Sequence, residues 1–151
     1  MKYILIILIS LFISLPSFAN PSGKGIICDN VTHNYGKIGF IFFDKSLRKY
    51  MFDYKKDIIT IIGSGGHAYT TSPDSIRFQV ATKKVVNGWN VVTNYLLKRK
   101  SLKLKAATRT GIKSTYQCKI IVGEDEFLKE IDNIQKAYQK ELDLELKANK
   151  I

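Results

Sequence analysis

Residues 76–96 read IRFQVATKKVVNGWNVVTNYL, and this stretch decides the fold class. Apolar residues stand at every second position from Ile76 to Val80, which is the period of a β-strand with one buried face. Asn87-Gly88 separates this segment from a second one that is rich in Val, Thr and Tyr. Because Asn and Gly both tolerate a positive φ, the pair suits a two-residue type I′ turn. The stretch therefore predicts a β-hairpin.

The same period recurs on both sides of this hairpin. The apolar members of the other alternating runs are Ile38, Phe40, Phe42, Tyr50, Phe52, Tyr54, Leu102, Leu104, Ala106, Tyr116, Cys118 and Ile120. The turn signals between runs are Asn34-Tyr35-Gly36, Gly63-Ser64-Gly65-Gly66, Ser72-Pro73-Asp74 and a tight reversal over residues 98–101. The pattern predicts an all-β domain over residues 20–122 with eight or nine short strands. We expect an antiparallel meander, rolled into a small barrel or flattened into a sandwich.

The chain has two cysteines, Cys28 and Cys118, and they fall on the first and last predicted strands. A disulfide between these strands would close the sheet and protect its edges. The cysteines are 90 positions apart. Closing such a loop contributes about 4.6 kcal/mol at most in the loop-entropy description. The alternative is two buried, unpaired thiols.

After Gly123 the hydrophobic period becomes helical. Three acidic residues over 124–126 suit a helix N-terminus, because aligned peptide dipoles favour negative charge there. We predict an amphipathic helix over residues 123–151. Its apolar stripe either packs on the β-domain or binds a partner protein or a second copy of the chain. The partner-binding candidates on this stripe are Phe127, Ile131, Ile134, Tyr138 and Leu142.

The N-terminal residues indicate export. Lys2 precedes an apolar run that ends at Pro16, and Ser17-Phe18-Ala19 then places small residues at the positions that a signal peptidase reads. Residues 1–19 are therefore predicted to be a cleaved secretory signal. The alternative is an uncleaved membrane anchor, for which the apolar run is short. We expect a periplasmic or extracellular protein, in a compartment where a disulfide persists.

The predicted β-domain is strongly basic, with 18 Lys and Arg against 5 Asp, whereas residues 123–151 are net acidic. A one-sided basic face attracts polyanions over a distance. In an exported protein the available partners are anionic envelope lipid or polysaccharide, or extracellular nucleic acid bound without sequence specificity. The alternative is that the charge keeps a small β-protein soluble and guards its sheet edges. The anion-binding candidates are Lys98, Arg99, Lys100, Lys103 and Lys105.

Signals for catalysis and cofactors are weak. Ser64 stands three positions before His67, with Asp57 and Asp74 nearby in sequence, but the surrounding pattern is not that of a nucleophile elbow. A glycine-rich hairpin loop is the favoured interpretation. His33, His67 and two cysteines are too few for a zinc ribbon, and no phosphate-cradling loop is present. We predict an exported, non-catalytic binding or interaction module without a cofactor or a metal.

Three segments resemble one known group of proteins. The run Leu97–Leu104, the tripeptide over 116–118 and a charged helix that ends in Asn149-Lys150-Ile151 resemble short secreted proteins of unknown function from AT-rich Gram-negative bacteria. The resemblance covers the signal, the first cysteine and the C-terminal third. It implies export and no particular activity.

A second resemblance concerns Ser64-Gly65 and Tyr69. These residues are similar to the S-G-x-x-Y loop of the membrane-bound or periplasmic inhibitors of C-type lysozyme, with one more residue between them here. An exported barrel with a cysteine near each end is also similar to that family. The resemblance implies lysozyme inhibition as an alternative function. A strongly basic domain would, however, repel a cationic enzyme.

Overall fold

The structure is a computed structural model of the 151-residue chain. It describes residues 20–32, 36–55, 57–86 and 89–148, without the side chains of 82–86, 89 and 90. The predicted signal over residues 1–19 lies outside the described residues, as do His33 and the Asn87-Gly88 pair.

Eight antiparallel strands form a closed barrel, in which each strand pairs with its neighbours in chain order and β8 pairs back with β1. This confirms the predicted all-β meander, and of the two predicted shapes the barrel is the one that forms. The described residues contain no ninth strand. The strands are β1 (Lys24–Asn30), β2 (Lys37–Phe42), β3 (Ser46–Lys55), β4 (Ile58–Thr71), β5 (Ser75–Val86), β6 (Trp89–Lys98), β7 (Lys103–Thr108) and β8 (Lys113–Val122).

The two predicted chain reversals on either side of β6 are each flanked by strands at the expected positions. β5 and β6 pair as far as Val86 opposite Trp89, so the two strands flank the Asn87-Gly88 pair as a hairpin does. The second reversal is confirmed, since β6 ends at Lys98 and β7 begins at Lys103.

The predicted disulfide is confirmed, and it lies at the seam where the barrel closes. Cys28 and Cys118 are register partners on β1 and β8, and their sulfur atoms are bonded. Both side chains are buried in the interior, where the two-residue period of each strand places them. The bond therefore joins the first strand of the meander to the last.

Alternating apolar side chains fill the barrel interior. The Phe78 and Tyr95 rings are stacked with their centroids 5.0 Å apart. Phe40 meets both rings edge-on, at 4.9 and 5.1 Å. Offset and edge-to-face arrangements of this kind are the favoured aromatic geometries. The other buried members of the interior are Ile26, Cys28, Ile38, Phe42, Leu47, Ile76, Val80, Leu97, Leu104, Ala106 and Cys118.

The prediction of a turn over Gly63–Gly66 is wrong. These residues lie inside β4, which runs without a break from Ile58 to Thr71. The pairing with β3 shifts register between Leu47 and Lys49, and Gly66 has a φ of 78°. Glycines inside a strand often mark a bulge, which bends the strand without ending it.

β4 and β5 pair over a short distance. Among the described residues the register partners run only from Tyr69 opposite Phe78 to Thr71 opposite Ile76. Most of β4 therefore pairs with β3 alone, and most of β5 with β6 alone. The neighbouring segment of β4 is one wall of a cleft that is described below.

Helix α1 (Glu124–Ala148) follows β8 directly and packs on the outside of the barrel. Phe127 is fully buried against β1 and β2, where two strand glycines leave room for its ring. A Cβ atom at Gly25 would stand 2.1 Å from the Phe127 Cδ2 atom, and one at Gly39 would stand 2.9 Å from its Cζ atom. Ile131 fills the next part of this surface, so the glycines decide where the helix docks.

Polar contacts hold the middle of α1 to the barrel. The Lys37 backbone N–H donates to the Tyr138 hydroxyl at 3.0 Å. The Gln139 side chain accepts from the Ile59 N–H at 2.8 Å, and the Gln135 side chain donates to the Ile59 carbonyl at 2.8 Å. Among the described residues no helix is both long and apolar enough to cross a membrane.

Candidate functional site

The β6–β7 hairpin presents basic side chains to solvent. Lys98 and Lys103 are register partners across it, and Lys100 lies in the turn between them. Lys105 is exposed like these three, while Leu104 between the strand lysines is fully buried. The predicted outward phase of the hairpin lysines is therefore observed.

The meander collects basic residues on one half of the barrel. Residues 75–122, which form β5 to β8, contain eleven Lys and Arg and no Asp or Glu. Because strands that are consecutive in sequence are also neighbours in the barrel, this segment is a continuous surface, which we call the basic half. The acid-rich helix packs on β1, β2 and β4 and meets the basic half at β8, where Lys119 is paired with Glu130.

The basic side chains of the hairpin form no salt bridge with any acidic side chain that the structure describes. Among the described residues, the salt bridges on the barrel join Lys37 to Asp29, Lys55 to Asp53 and Lys119 to Glu130. None of them includes a hairpin lysine. The side chains of Lys83 and Lys84 lie outside the described set.

A cleft of about 880 Å³ is lined on one side by β4 and on the other by β5 to β7 of the basic half. Arg77 and Lys105 both line it, and both are register partners of Leu96, which lies between them. Gln79 donates a side-chain hydrogen bond to Asn94 at 2.7 Å in the same cleft. No acidic residue is among the described residues that line it. The cleft can therefore accept an anionic group without like-charge repulsion.

A second, smaller pocket of about 200 Å³ lies at one end of the barrel interior. The turns that leave β2, β4 and β6 are all at this end, because the strands alternate in direction. We call it the end pocket. Its lining is Pro21, Lys24, Ile26, Phe42, Ile76, Leu97, Arg99, Leu102 and Ile120.

Arg99 differs from the lysines around it. Its backbone N–H donates to the Asp74 carbonyl at 2.9 Å, and its side chain lines the end pocket. The Nε atom of Arg99 is buried and has no hydrogen-bond partner within the described residues. Leu102, expected on a strand, lies instead in the turn, where its side chain still packs against the interior.

Lys49 is a buried cation that the sequence analysis missed. Its ammonium lies in the barrel interior and donates to the Tyr95 hydroxyl at 2.9 Å. Burial lowers the pKa of Lys49 to about 8. Burial also raises the pKa of Tyr95. The signal was present, since Lys49 stands in the inward phase of β3 between Leu47 and Met51.

Ser64 and His67 do lie together. The Ser64 Oγ atom is 3.2 Å from the His67 Nε2 atom, and both residues are on β4. Burial, and after it the charge of Lys49, lowers the pKa of His67. Neither Asp57 nor Asp74 contacts the imidazole, and the described residues show no carboxylate bonded to it. The Ser64–Tyr69 segment that resembles an inhibitor loop is strand, and lysozyme inhibition stays a prediction.

The helical stripe packs on the chain's own barrel. Phe127, Ile131 and Ile134 are buried, and Tyr138 packs its ring against Phe52 with a centroid distance of 5.3 Å. Leu142 is half-buried. The structure thus shows the packing alternative for these side chains, and partner binding by the stripe stays a prediction.

Within the part of the chain that the structure describes, no group of three or more His, Cys, Asp or Glu side chains could hold a metal ion. His33 lies outside that part.

The fold and the site define an eight-stranded antiparallel meander barrel with a basic half and, at one end, a pocket that Lys24 and Arg99 help to line. No protein-family model, no curated protein and no solved structure matches the chain.

Proposed function

We propose that this protein is an exported, non-catalytic binding module that contacts an anionic component of the cell envelope through its basic half. The observation that carries the proposal is the acid-free run over residues 75–122, which the meander turns into one surface. Lysines that only kept the protein soluble would not need to be gathered on four successive strands that contain no carboxylate. The hairpin lysines are exposed and form no ion pair in the described structure, so their charge is available to a partner.

Co-sedimentation with lipid vesicles tests this proposal. We expect binding to phosphatidylglycerol vesicles, none to phosphatidylcholine vesicles, and a loss of binding as salt screens the charges. A lysine near an anionic surface contributes about 1 kcal/mol. Lys98→Ser, Lys100→Ser and Lys103→Ser together should therefore weaken binding about a hundredfold.

The matched control removes three exposed lysines from the helix. Lys129→Ser, Lys140→Ser and Lys147→Ser change the net charge by the same amount but leave the basic half intact. This variant should bind anionic vesicles almost as the wild type does. Equal losses in the two triple variants, or binding that ignores salt, would contradict the proposal. The same binding measurement with lipopolysaccharide in place of the vesicles tests whether the partner carries polysaccharide.

One observation favours helix-mediated interaction as a second candidate. Beyond Tyr138 the last turns of α1 carry Leu142, Leu144 and Leu146, and Leu144 is 58% exposed. A second copy or a partner helix could cover this short apolar segment. Sedimentation velocity of the wild type and of Leu144→Ser tests self-association, and a monomer in both samples excludes it.

A further inference from the structure

We propose that the end pocket binds the alkyl chain of an anionic amphiphile and that Arg99 and Lys24 hold its charged group. This inference rests on the proposed function and names its ligand: a molecule with one phosphate or carboxylate on an apolar chain. Three separate features of the end pocket support it.

The first feature is the unpaired donor on Arg99. A buried N–H without a partner is rare in proteins, because leaving it unbonded costs the desolvation of the group. The Arg99 Nε atom is such a donor within the described residues, and both Arg99 and Lys24 line the pocket. A planar guanidinium is well suited to a phosphate or a carboxylate. The Nε atom is buried in this conformation, so the guanidinium has to turn towards the pocket for its N–H to bond an anionic group there.

The second feature is an apolar side chain that lacks cover. Ile120 is in the same phase of β8 as the buried Cys118, and yet it is 51% exposed. It lines the end pocket together with the buried core residues Phe42 and Leu97. The pocket thus continues from the charged rim into the apolar core. An alkyl chain lying there would remove Ile120 from water.

The third feature is the conformation of Leu102. Among the described residues it is the one non-glycine residue with a positive φ, at 51°. Such strain collects at ligand clamps and persists only where surrounding contacts impose it. Here the Cys118 N–H donates to the Leu102 carbonyl at 2.9 Å, and this bond holds the turn in place. The strained turn points the Leu102 side chain to the pocket that Arg99 rims.

The volume of the end pocket and the charges of its lining residues limit the class of ligand that it can bind. The pocket volume of about 200 Å³ accommodates about seven groups of the size of a water molecule or a methylene. This matches a short alkyl chain or the end of a longer one. Two cations and no acid are among its lining residues, so a single negative charge is complementary to it.

Titration with octyl phosphate tests the proposal on protein purified from cells that express the full chain, with intact mass measured first. Octyl phosphate is used below its critical micelle concentration. Octanol is the control for the alkyl chain alone, and inorganic phosphate is the control for the charged group alone. We expect octyl phosphate to bind at least tenfold more tightly than either control. The Arg99 Nε–H resonance should shift in a ¹⁵N–¹H NMR spectrum during the titration. Such a shift locates the anionic group.

Two variants with matched controls complete the test. Arg99→Gln removes the charged donor and should weaken octyl phosphate binding about tenfold or more. Arg109→Gln, an exposed change at the opposite end of the barrel, should leave binding unchanged. Ile120→Trp fills the pocket and should abolish binding, whereas Ile112→Trp adds the same ring at the other end and should not.

The outcomes separate this inference from the proposed function. Octyl phosphate that fails to bind, or that binds equally to Arg99→Gln and Ile120→Trp, overturns the end pocket as a ligand site. If anionic vesicles are still bound through Lys98, Lys100 and Lys103, the proposed function survives that failure. If octyl phosphate binds but vesicles do not, the end pocket stands and the surface proposal falls.

Discussion

The barrel interior contains a lysine. Lys49 is 5% exposed, and its ammonium bonds the Tyr95 hydroxyl at 2.9 Å without a carboxylate partner among the described residues. A buried charge without a counter-ion is costly, and its pKa moves towards the neutral form. Because folding lowers the Lys49 pKa from 10.5 to about 8, the free energy of unfolding depends on pH in this range.

The free energy of unfolding should rise with pH because of Lys49. The folded protein releases the Lys49 proton near pH 8, whereas the unfolded chain keeps it until about pH 10.5. Between these values the unfolded state binds more protons, so raising the pH favours folding. From pH 7 to pH 9.5 the gain should be about 2 kcal/mol. Urea unfolding at several pH values measures it.

Lys49→Met is the variant that isolates this effect. It should lose the rise with pH and be at least as stable as the wild type at pH 7, since an apolar side chain of similar length replaces an uncompensated charge. Lys100→Met, an exposed lysine, should keep the rise. The pH range of the measurement ends at about 9.5 because of Tyr95, whose pKa is raised by burial. Above about pH 10 this shift lowers the free energy of unfolding as the pH rises. An equal slope in wild type and Lys49→Met would show that Lys49 is not the cause.

Among the elements of the fold, helix α1 takes its position from the shape of the barrel surface on which it packs. The Phe127 ring lies where Gly25 and Gly39 leave the outer face of β1 and β2 without side chains, and Tyr50 meets it edge-on at 5.4 Å. Ile131 and Ile134 continue this contact along the barrel wall. Packing of this kind, rather than helix propensity, supplies most of the stability of a protein helix.

Gly25→Ala should loosen the helix. The added methyl group would stand 2.1 Å from the Phe127 Cδ2 atom, so the ring has to move. We expect a loss of about 2 kcal/mol, as for other overpacked sites. Gly63→Ala is the matched control, since its methyl group meets Tyr50 at an ordinary 3.7 Å. Denaturant unfolding, with hydrogen exchange of the α1 amides, measures both.

A double-mutant cycle checks the cause of that loss. Phe127→Ala alone removes a buried ring and should cost about 3–5 kcal/mol. In the Phe127→Ala background, Gly25→Ala should lower the free energy of unfolding very little, because the ring that the methyl group would contact is absent. Strictly additive losses would contradict the glycine argument.

At the scale of the whole molecule, one covalent bond joins the ends of the meander. The Cys28–Cys118 disulfide spans 90 positions, and all eight strands begin or end between its two cysteines. It therefore restricts the unfolded chain across the entire barrel. It also secures the β1–β8 seam, which is the one pairing of distant strands in this fold.

Removal of the disulfide should lower stability markedly. We expect Cys28→Ser with Cys118→Ser to lose about 4 kcal/mol, with a clear fall in Tm. Amide exchange should rise first along the β1–β8 seam, because only the backbone hydrogen bonds of this pairing hold the two strands together once the disulfide is gone. Wild-type protein under reducing conditions should behave in the same way. An unchanged Tm and unchanged exchange would show that the strand pairing alone closes the barrel.

The sequence predicted the local features of the fold well. The two-residue period placed the strands, and the outward phase of Lys103 and Lys105 followed from the inward phase of Leu104. It failed at Gly63–Gly66, where glycines bend β4 instead of ending it. It also missed the interior position of Lys49, because it took Tyr50, Phe52 and Tyr54 as the buried phase of β3. Tyr50 and Phe52 pack under the helix on the outer face, and the opposite phase, which contains Lys49, faces the barrel interior.

Taken by itself, the amino-acid order determined the strand and helix types and the charge of each segment, because these depend on neighbours along the chain. It left one possible disulfide, and the pairing of β1 with β8 decided that this bond forms. Tertiary structure alone decided that the sheet closes as a barrel, and that Gly25 and Gly39 receive Phe127. It also decided that the Arg99 Nε atom is buried without a hydrogen-bond partner from the described part of the chain. These features depend on distances between residues that lie far apart in sequence, which local periodicity does not carry.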